Sequence, residues 1–193
     1  RYRPVGYAIE LDGERLHSVN REAAAMMCSL RDRWAGRLSG PIVVSGTIGP
    51  RGDGYAADAP GSAEHAADYH GPQAEALAAG GVDMLTGVTM TSSAEALGVS
   101  IAARRVGLPA VVSFTVETDG RLPSGETLRE AVARVDATAP PAYFAVNCGV
   151  SESPSISTDG PPPARSRRGS GWTRFTTSAN TTGVTPPYFN GYL

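Results

Sequence analysis

The sequence predicts an α/β protein in which parallel strands alternate with helices, either as a doubly wound sheet or as part of a barrel. The first observation is a series of short apolar runs bounded by glycine, proline or small polar residues, which is typical of strands buried on both faces. The second is that a helix-length segment precedes each run. Because each crossover is long enough for a helix, we expect parallel strands with right-handed connections.

The first helix is predicted from Ser18 to Arg37, and the first strand follows near 42–46. Ser18 is a suitable N-cap, and apolar residues recur after it at three- and four-residue spacing. These residues are Val19, Ala23, Met26, Met27, Leu30 and Trp34. Gly40 and Pro41 end the helix, and the run Ile-Val-Val then begins the strand.

Three further helix–strand units are predicted downstream. The helices are expected over 62–79, 92–106 and 126–138. The strands are expected near 82–88, 110–116 and 142–147, and the run at 110–116 is the clearest of them. Glycine or proline residues separate each helix from the strand that follows it. We therefore expect the four strands to lie adjacent to one another in chain order.

The composition changes at about residue 150, which divides the chain into a body over 1–150 and a tail over 151–193. Serine, threonine, proline and glycine dominate the tail, which contains one Leu, one Ile and one Val. Its four arginines stand against two acidic residues, which is too little positive charge to indicate a nucleic-acid-binding tail. We expect the tail to be irregular or disordered.

The overall composition excludes several classes of function. The 193 residues are 41% hydrophobic and carry a net charge of −2, so we expect neither a nucleic-acid nor a membrane partner. No stretch approaches the ~20 apolar residues of a membrane span, and the first residues contain no apolar signal-peptide core. Two cysteines cannot form a disulfide framework, so the expected compartment is the cytoplasm.

Small polar residues lie at the predicted carboxyl ends of the strands, where α/β proteins bind their ligands. The candidates for substrate binding are Ser45, Thr86, Thr89, Ser113 and Asn147. Their neutral hydroxyl and amide groups can form hydrogen bonds with a small polar ligand. Small hydroxyl residues that merely terminate strands are the alternative at any one end. Their presence at all four ends favours a ligand site.

Cys148 is the strongest candidate for a catalytic or metal-binding residue, because it directly follows an apolar strand and Asn147. Its thiolate could act as a nucleophile or as a metal ligand, and a buried structural cysteine is the alternative. Cys28 lies within the apolar stripe of the first helix and is expected to be a core residue.

Histidines and acidic residues give weaker signals. His65 and His70 are five residues apart, a poor match to one helix face, so we do not expect them to form a paired metal site. Acidic residues also surround the loop after the third strand, at Glu117, Asp119 and Glu126. They are candidates for catalytic acids, but a solvated loop is the preferred interpretation.

Four segments of the body carry a specific series of motifs. They are SGTIGPRGDGY (45–55), AADYHGPQAEALAAGGVDML (66–85), EALGVSIAARRVGLPAVVSFTVETDGRLPSGETL (95–128) and AYFAVNC (142–148). In this order, and over about residues 20–150, they resemble the homocysteine S-methyltransferase family. The resemblance implies a TIM-type (β/α)8 barrel, of which this chain has about four βα units.

The resemblance also implies a reaction and a cofactor. Members of this family transfer a methyl group to the thiol of homocysteine, or of a related thiol, to give methionine. The expected partners are therefore two small molecules, the thiol acceptor and the methyl donor. The resemblance further implies a zinc ion held by three cysteines, and Cys148 matches the first of these ligands. Zinc lowers the pKa of a bound thiol, which favours the nucleophilic thiolate.

The chain departs from the family pattern in ways that affect the expected activity. The other two zinc ligands belong to a Gly-Gly-Cys-Cys motif that this sequence lacks. Many relatives hold the substrate amino group with a glutamate, and here Val88 or Thr89 stands in its place. We therefore expect a methyltransferase that is incomplete in this chain. The alternative is a non-catalytic α/β fragment or small-ligand-binding module that inherited the fold.

Half a barrel has a further consequence for assembly. Its two outer strands would have unpaired edges, and such edges pair readily with other chains. We therefore expect the chain to self-associate through the open edges of its sheet.

Overall fold

The computed structural model describes residues 13–52, 54, 56, 57 and 61–147, together with the backbone of 173–175. Its elements, in chain order, are α1 Gly13–Trp34, β1 Ser45–Ile48, α2 Ala63–Ala79, β2 Met84–Met90, α3 Ser93–Arg105, β3 Ala110–Thr115, α4 Leu128–Thr138, β4 Tyr143–Asn147 and β5 Thr173–Phe175. Within these residues, no helix combines the length and apolar composition that a membrane span needs.

One five-stranded sheet organises the fold, in the order β1-β2-β3-β4-β5. The strands β1 to β4 are parallel and adjacent in chain order, as the sequence predicts. Helices α2, α3 and α4 form the successive crossovers between these strands. The α/β prediction of four parallel strands that alternate with helices is therefore confirmed.

The first two strands begin later than predicted. Val44 precedes β1, and its backbone N–H donates to the Asp83 carboxylate at 2.7 Å instead of to a neighbouring strand. The carbonyl of Val44 accepts the N–H of Asp83 at 2.8 Å, and this pair of contacts brings β1 and β2 together. At their other ends, β1 runs to Ile48 and β2 to Met90, beyond the predicted ends at 46 and 88.

The two faces of the sheet have different compositions, because side chains alternate along each strand. One face packs against the helices and builds the apolar core around Phe114 and Phe144, whose rings stack with centroids 6.2 Å apart. The residues of the opposite face follow from the register, which aligns Thr47, Thr86, Val111 and Tyr143 in one row. Ser113, Thr115 and Asn147 continue this face toward the carboxyl edge of the sheet.

Small residues allow the helices to approach one another closely. A Cβ atom added at Gly98 of α3 would lie 2.4 Å from the Cβ of Ala66 on α2. The same distance separates an added Cβ at Gly80 from the Cβ of Ala24 on α1. Any side chain at either glycine would therefore push two helices apart.

Helix α1 buries a narrower face than its apolar stripe suggests. Ala24 is buried against α2, and Cys28 is buried as predicted, with its Sγ donating to the carbonyl of Gly81 at 3.1 Å. In contrast, Met26 and Trp34 of the stripe are 60% and 50% exposed. The helix also begins at Gly13, five residues before the predicted N-cap Ser18. The stripe is therefore an apolar surface and not part of the core of the described residues.

The predicted irregular tail lies outside the described residues, except for β5. This short strand pairs antiparallel with β4 and aligns Phe175 with Phe144. It therefore covers an edge that we expected to be open. The outer edge of β1 has no partner strand among the described residues.

Candidate functional site

A cluster of neutral polar side chains lies at the carboxyl edge of β2, β3 and β4, with Asn147 at its centre. The Oδ1 atom of Asn147 accepts the backbone N–H of Thr89 at 3.0 Å and the hydroxyl of Ser113 at 2.7 Å. Its Nδ2 atom donates to Oγ1 of Thr89 at 3.2 Å and lies 3.5 Å from Oγ1 of Thr115. We call these four residues the Asn147 cluster. Three of the five predicted substrate-binding residues meet in it.

Thr89 reaches the cluster through an irregularity in β2. Between Gly87 and Met90, three steps along β2 correspond to two steps along β3, from Val112 to Phe114. This extra residue bulges the strand, and Thr89 has a φ angle of +58°, which β-branched residues rarely adopt. The bulge turns the N–H of Thr89 away from the β3 ladder and toward Asn147.

The other two predicted residues lie together elsewhere on the same face. Ser45 is the first residue of β1 and not its end, and Thr86 lies in the middle of β2. Their hydroxyl oxygens are 2.6 Å apart. Because Thr86 aligns with Val111, it lies two residues below the level of Ser113. The expectation that both residues end their strands is therefore wrong, since β1 and β2 extend further than the apolar runs indicate.

The predicted metal ligand, Cys148, lies outside the described residues, one position beyond β4. Within the part of the chain that the structure describes, no three His, Cys, Asp or Glu side chains converge as a metal site requires. The other cysteine, Cys28, bonds to the backbone of Gly81 beneath α1. The described residues alone therefore do not fit a zinc site.

Glu126 is half-buried and hydrogen-bonded to the start of α3, whereas the sequence pattern favours a solvated loop. Its carboxylate accepts the backbone N–H of Ser93 at 2.9 Å and the hydroxyl of Ser124 at 3.0 Å, and it forms an ion pair with Arg134 at 3.0 Å. Burial acts to raise the pKa of this carboxyl, but the hydrogen bonds from Ser93 and Ser124 outweigh it and lower the pKa. Glu117 and Asp119 are exposed, as expected.

A buried carboxylate–imidazole pair joins two helices, and the sequence patterns do not predict it. His70 of α2 and Glu95 of α3 are joined by a contact of 2.7 Å between Nε2 and Oε1. Both residues occur within the quoted motif segments, but they are 25 positions apart and on different helices. The spacing of the histidines along the chain carries no signal for this pair, because the partner of His70 is a carboxylate on the next helix.

Comparison with known proteins adds an independent observation. Residues 5–155 match the family model for homocysteine S-methyltransferase, which covers more than half of the chain. The chain belongs to the homocysteine S-methyltransferase family. No curated protein sequence matched it.

Solved structures of a homocysteine methyltransferase share the fold of this family member. The apo form of MmuM from Escherichia coli matches with a TM-score of 0.64 and 23% identity, over 77% of this chain and 55% of MmuM. Its metallated form matches with a TM-score of 0.65 and 24% identity, over 74% and 53%. Its oxidised form matches with a TM-score of 0.63 and 25% identity, over 72% and 50%. The chain spans about half the length of MmuM, and its fold is that of part of a TIM-type barrel.

Proposed function

We propose that this chain contributes part of the catalytic site of a zinc-dependent S-methyltransferase, which methylates the thiol of homocysteine or a related thiol. Methionine is the product when homocysteine is the acceptor. The observation that carries this proposal is the Asn147 cluster, in a chain whose family membership rests on residues 5–155. The cluster lies at the carboxyl edge of parallel strands, where barrel enzymes bind their substrates.

The proposed reaction needs a positioned thiol and a positioned methyl donor. The acceptor sulfur attacks the methyl carbon, a sulfur–carbon bond forms, and the bond between the methyl group and the donor breaks. The thiol proton passes to solvent. In this proposal, the partly exposed side chains of Thr89 and Asn147 bind polar atoms of the substrates. The buried hydroxyls of Ser113 and Thr115 hold Asn147 in position. Ser45 and Thr86 would line the interior one layer further down the barrel.

Zinc enters the proposal through Cys148, which matches the first of the family's three cysteine ligands. The chain has one other cysteine, Cys28, and its contact with Gly81 beneath α1 places it far in the fold from the strand ends. A catalytic zinc site has three protein ligands and an open position. We therefore expect the 193-residue chain alone to bind zinc weakly and to transfer no methyl group.

The test supplies the missing ligands from a second polypeptide. The chain is co-expressed with the carboxy-terminal part of a homologous methyltransferase that carries a Gly-Gly-Cys-Cys segment. Zinc is measured by mass spectrometry of the purified complex, and methionine is measured after addition of homocysteine and S-methylmethionine. We expect about one zinc per complex and methionine formation above the rate of either part alone.

Two variants of this complex decide the role of Cys148. C148A should lose both zinc and methionine formation, whereas C28A, the matched control, should retain both. A C148A complex that keeps zinc and activity would contradict the proposed ligand. A wild-type complex that binds homocysteine but never methylates it would favour a non-catalytic binding module.

We further propose that the chain self-associates in the cytoplasm. The outer edge of β1 has no partner strand among the described residues, and the exposed stripe of α1, with Met26 and Trp34, adds apolar surface to the molecule. Light scattering of the purified chain should show oligomers that dissociate in the W34E variant. A monomer at high concentration would contradict self-association. Cell fractionation tests the location, and we expect the chain in the cytoplasmic fraction.

A further inference from the structure

A buried carboxylate–imidazole pair lies between α2 and α3, outside the Asn147 cluster. Glu95 is 8% exposed and His70 is 2% exposed, and Oε1 of Glu95 lies 2.7 Å from Nε2 of His70. Because an ionised carboxylate can only accept hydrogen bonds, the Nε2 atom of His70 donates. Burial of two such groups is costly unless each has a specific partner.

Several contacts keep Glu95 ionised in this buried position. It lies in the first turn of α3, where the helix dipole favours a negative charge, and Ser92 caps the helix by accepting the N–H of Glu95 at 3.2 Å. Burial acts to raise the pKa of Glu95, but the hydrogen bonds from His70 and from the backbone of Arg51 lower it below its ordinary value.

The same carboxylate oxygen also holds the loop between β1 and α2. Oε1 of Glu95 accepts the backbone N–H of Arg51 at 2.8 Å. The guanidinium of Arg51 lies over the ring of Tyr69, 5.7 Å from its centroid, and the Tyr69 ring meets His70 edge-on at 5.0 Å. Backbone and side chain of Arg51 are therefore both fixed against α2 and α3.

Three residues further along this loop, Gly54 touches the Asn147 cluster. A Cβ atom added at Gly54 would lie 2.8 Å from Cγ2 of Thr89, so the loop backbone is in close contact with that side chain. Thr89 is the residue with positive φ, and its N–H is bound by Asn147. Glu95 thus contacts this loop at Arg51, and the same loop contacts Thr89 at Gly54.

We propose that Glu95, oriented by His70, is a positioning residue that holds the β1–α2 loop against Thr89 and so keeps the Asn147 cluster in its substrate-binding geometry. The role in substrate binding rests on the proposed function, whereas the positioning of the loop does not. Glu95 acts through Arg51, since its carboxylate lies behind the loop and not among the residues of the cluster.

The test measures local order directly, in the full chain, by hydrogen exchange and NMR. E95A should accelerate exchange of the Arg51 amide by about tenfold or more, because that N–H loses a charged acceptor. It should also shift the resonances of the Thr89 methyl group and amide. The matched control is E130A, which removes a carboxylate that caps α4 through Thr127, remote from the loop. E130A should leave both signals unchanged.

A second variant separates positioning from general stability. In E95Q, the side-chain oxygen can still accept the N–H of Arg51, so exchange at Arg51 should lie between wild type and E95A. Equal acceleration throughout α2, β2 and α3 in both variants would show a structural role only and overturn the proposal. An Arg51 amide that exchanges at the wild-type rate in E95Q and E95A, with unshifted Thr89 signals, would overturn it as well.

Activity of the completed two-polypeptide enzyme then tests the link to substrate. E95Q should raise KM for the acceptor thiol more than it lowers kcat, because the cluster still forms but is held less firmly. An unchanged KM of E95Q for the acceptor thiol would show that the position of the loop does not affect substrate binding. If the wild-type complex makes no methionine, the proposed function fails, while the exchange and NMR results still decide whether Glu95 positions the loop.

Discussion

Asn147 and Thr89 form two hydrogen bonds in opposite directions across the carboxyl edge of the sheet. The N–H of Thr89 donates to Oδ1 of Asn147 at 3.0 Å, and Nδ2 of Asn147 donates to Oγ1 of Thr89 at 3.2 Å. The side chain of Asn147, at the end of β4, thereby supplies the hydrogen bonds that Thr89 of β2 cannot form with β3 at the bulge. The irregular backbone at Thr89 thus depends on a residue 58 positions away.

Removal of the Asn147 amide should destabilise the fold. N147A leaves the hydroxyl of Ser113, which is 0% exposed, and the N–H of Thr89 without their shared acceptor. We expect the free energy of unfolding to fall by about 1–3 kcal/mol, measured by urea denaturation. N20A on α1 is the control, because the partners of Asn20, the Leu16 carbonyl and Gln73 of α2, are only half-buried and can bind water instead. N20A should change stability by less than about 0.5 kcal/mol. Equal losses in both variants would contradict the central role of Asn147.

Within a strand, alanine is usually more stable than glycine, but the positive φ of Thr89 predicts the opposite order of stability at this position. T89G and T89A both lose the hydroxyl that accepts from Asn147, but only glycine adopts a φ of +58° without strain. T89G should therefore be more stable than T89A by about 1 kcal/mol in chemical denaturation. At Thr115, in regular β3, the order should be the usual one, with T115A more stable than T115G. The same order at both positions would show that the bulge is not strained.

The close contact of α2 with α3 makes Gly98 intolerant of a side chain. In G98A the new Cβ would lie 2.4 Å from the Cβ of Ala66 and 2.8 Å from its backbone carbon, which cannot rotate away. We expect a loss of about 1–3 kcal/mol in the free energy of unfolding. The melting temperature, followed by circular dichroism, would fall accordingly. A neutral G98A would mean that the two helices lie further apart in solution.

Two residues along the same helix, Ser100 should show the opposite effect. Its Oγ atom is buried and has no hydrogen-bond partner among the described residues. S100A removes this unsatisfied hydroxyl and should raise the free energy of unfolding by about 1 kcal/mol. S100A thus also serves as a control for G98A, because both place alanine on α3. A destabilised S100A would reveal a bonding partner of the hydroxyl.

The lowered pKa of Glu126 predicts a stability loss in acid. A carboxyl whose pKa is lower in the folded state stabilises the protein above its ordinary pKa of 4.5, and this contribution disappears as the pH falls through the folded-state value. E126Q should be less stable than wild type at pH 7 and should lose less stability on acidification below about pH 4.5. E75Q, at an exposed position of α2, removes the same charge and should keep the wild-type slope. Identical slopes in wild type and E126Q would contradict the prediction.

The order of the elements could be predicted from the sequence because short-range patterns determine it. The run at 110–115 is apolar at four of its six positions and has only small polar residues at the other two, as suits a strand buried on both faces, and β3 forms there. Asn147 was placed correctly because it directly ends such a run. In contrast, the apolar run at 42–44 predicts a strand that ends near Ser45, because hydrophobicity alone does not reveal that the polar segment Ser45–Ile48 forms the ladder.

What the sequence by itself determined is the alternation of helices and parallel strands, and the neutral polar residues near their ends. Both follow from periodicity and composition within about a dozen residues. The tertiary structure alone decided which of these residues meet: Asn147 with Thr89 through a bulge, and Glu95 with His70 across two helices. It also decided that the α1 stripe remains exposed, because burial depends on the neighbouring elements and not on a helix's own pattern. Such contacts join residues 25 and 58 positions apart, and no local pattern encodes them.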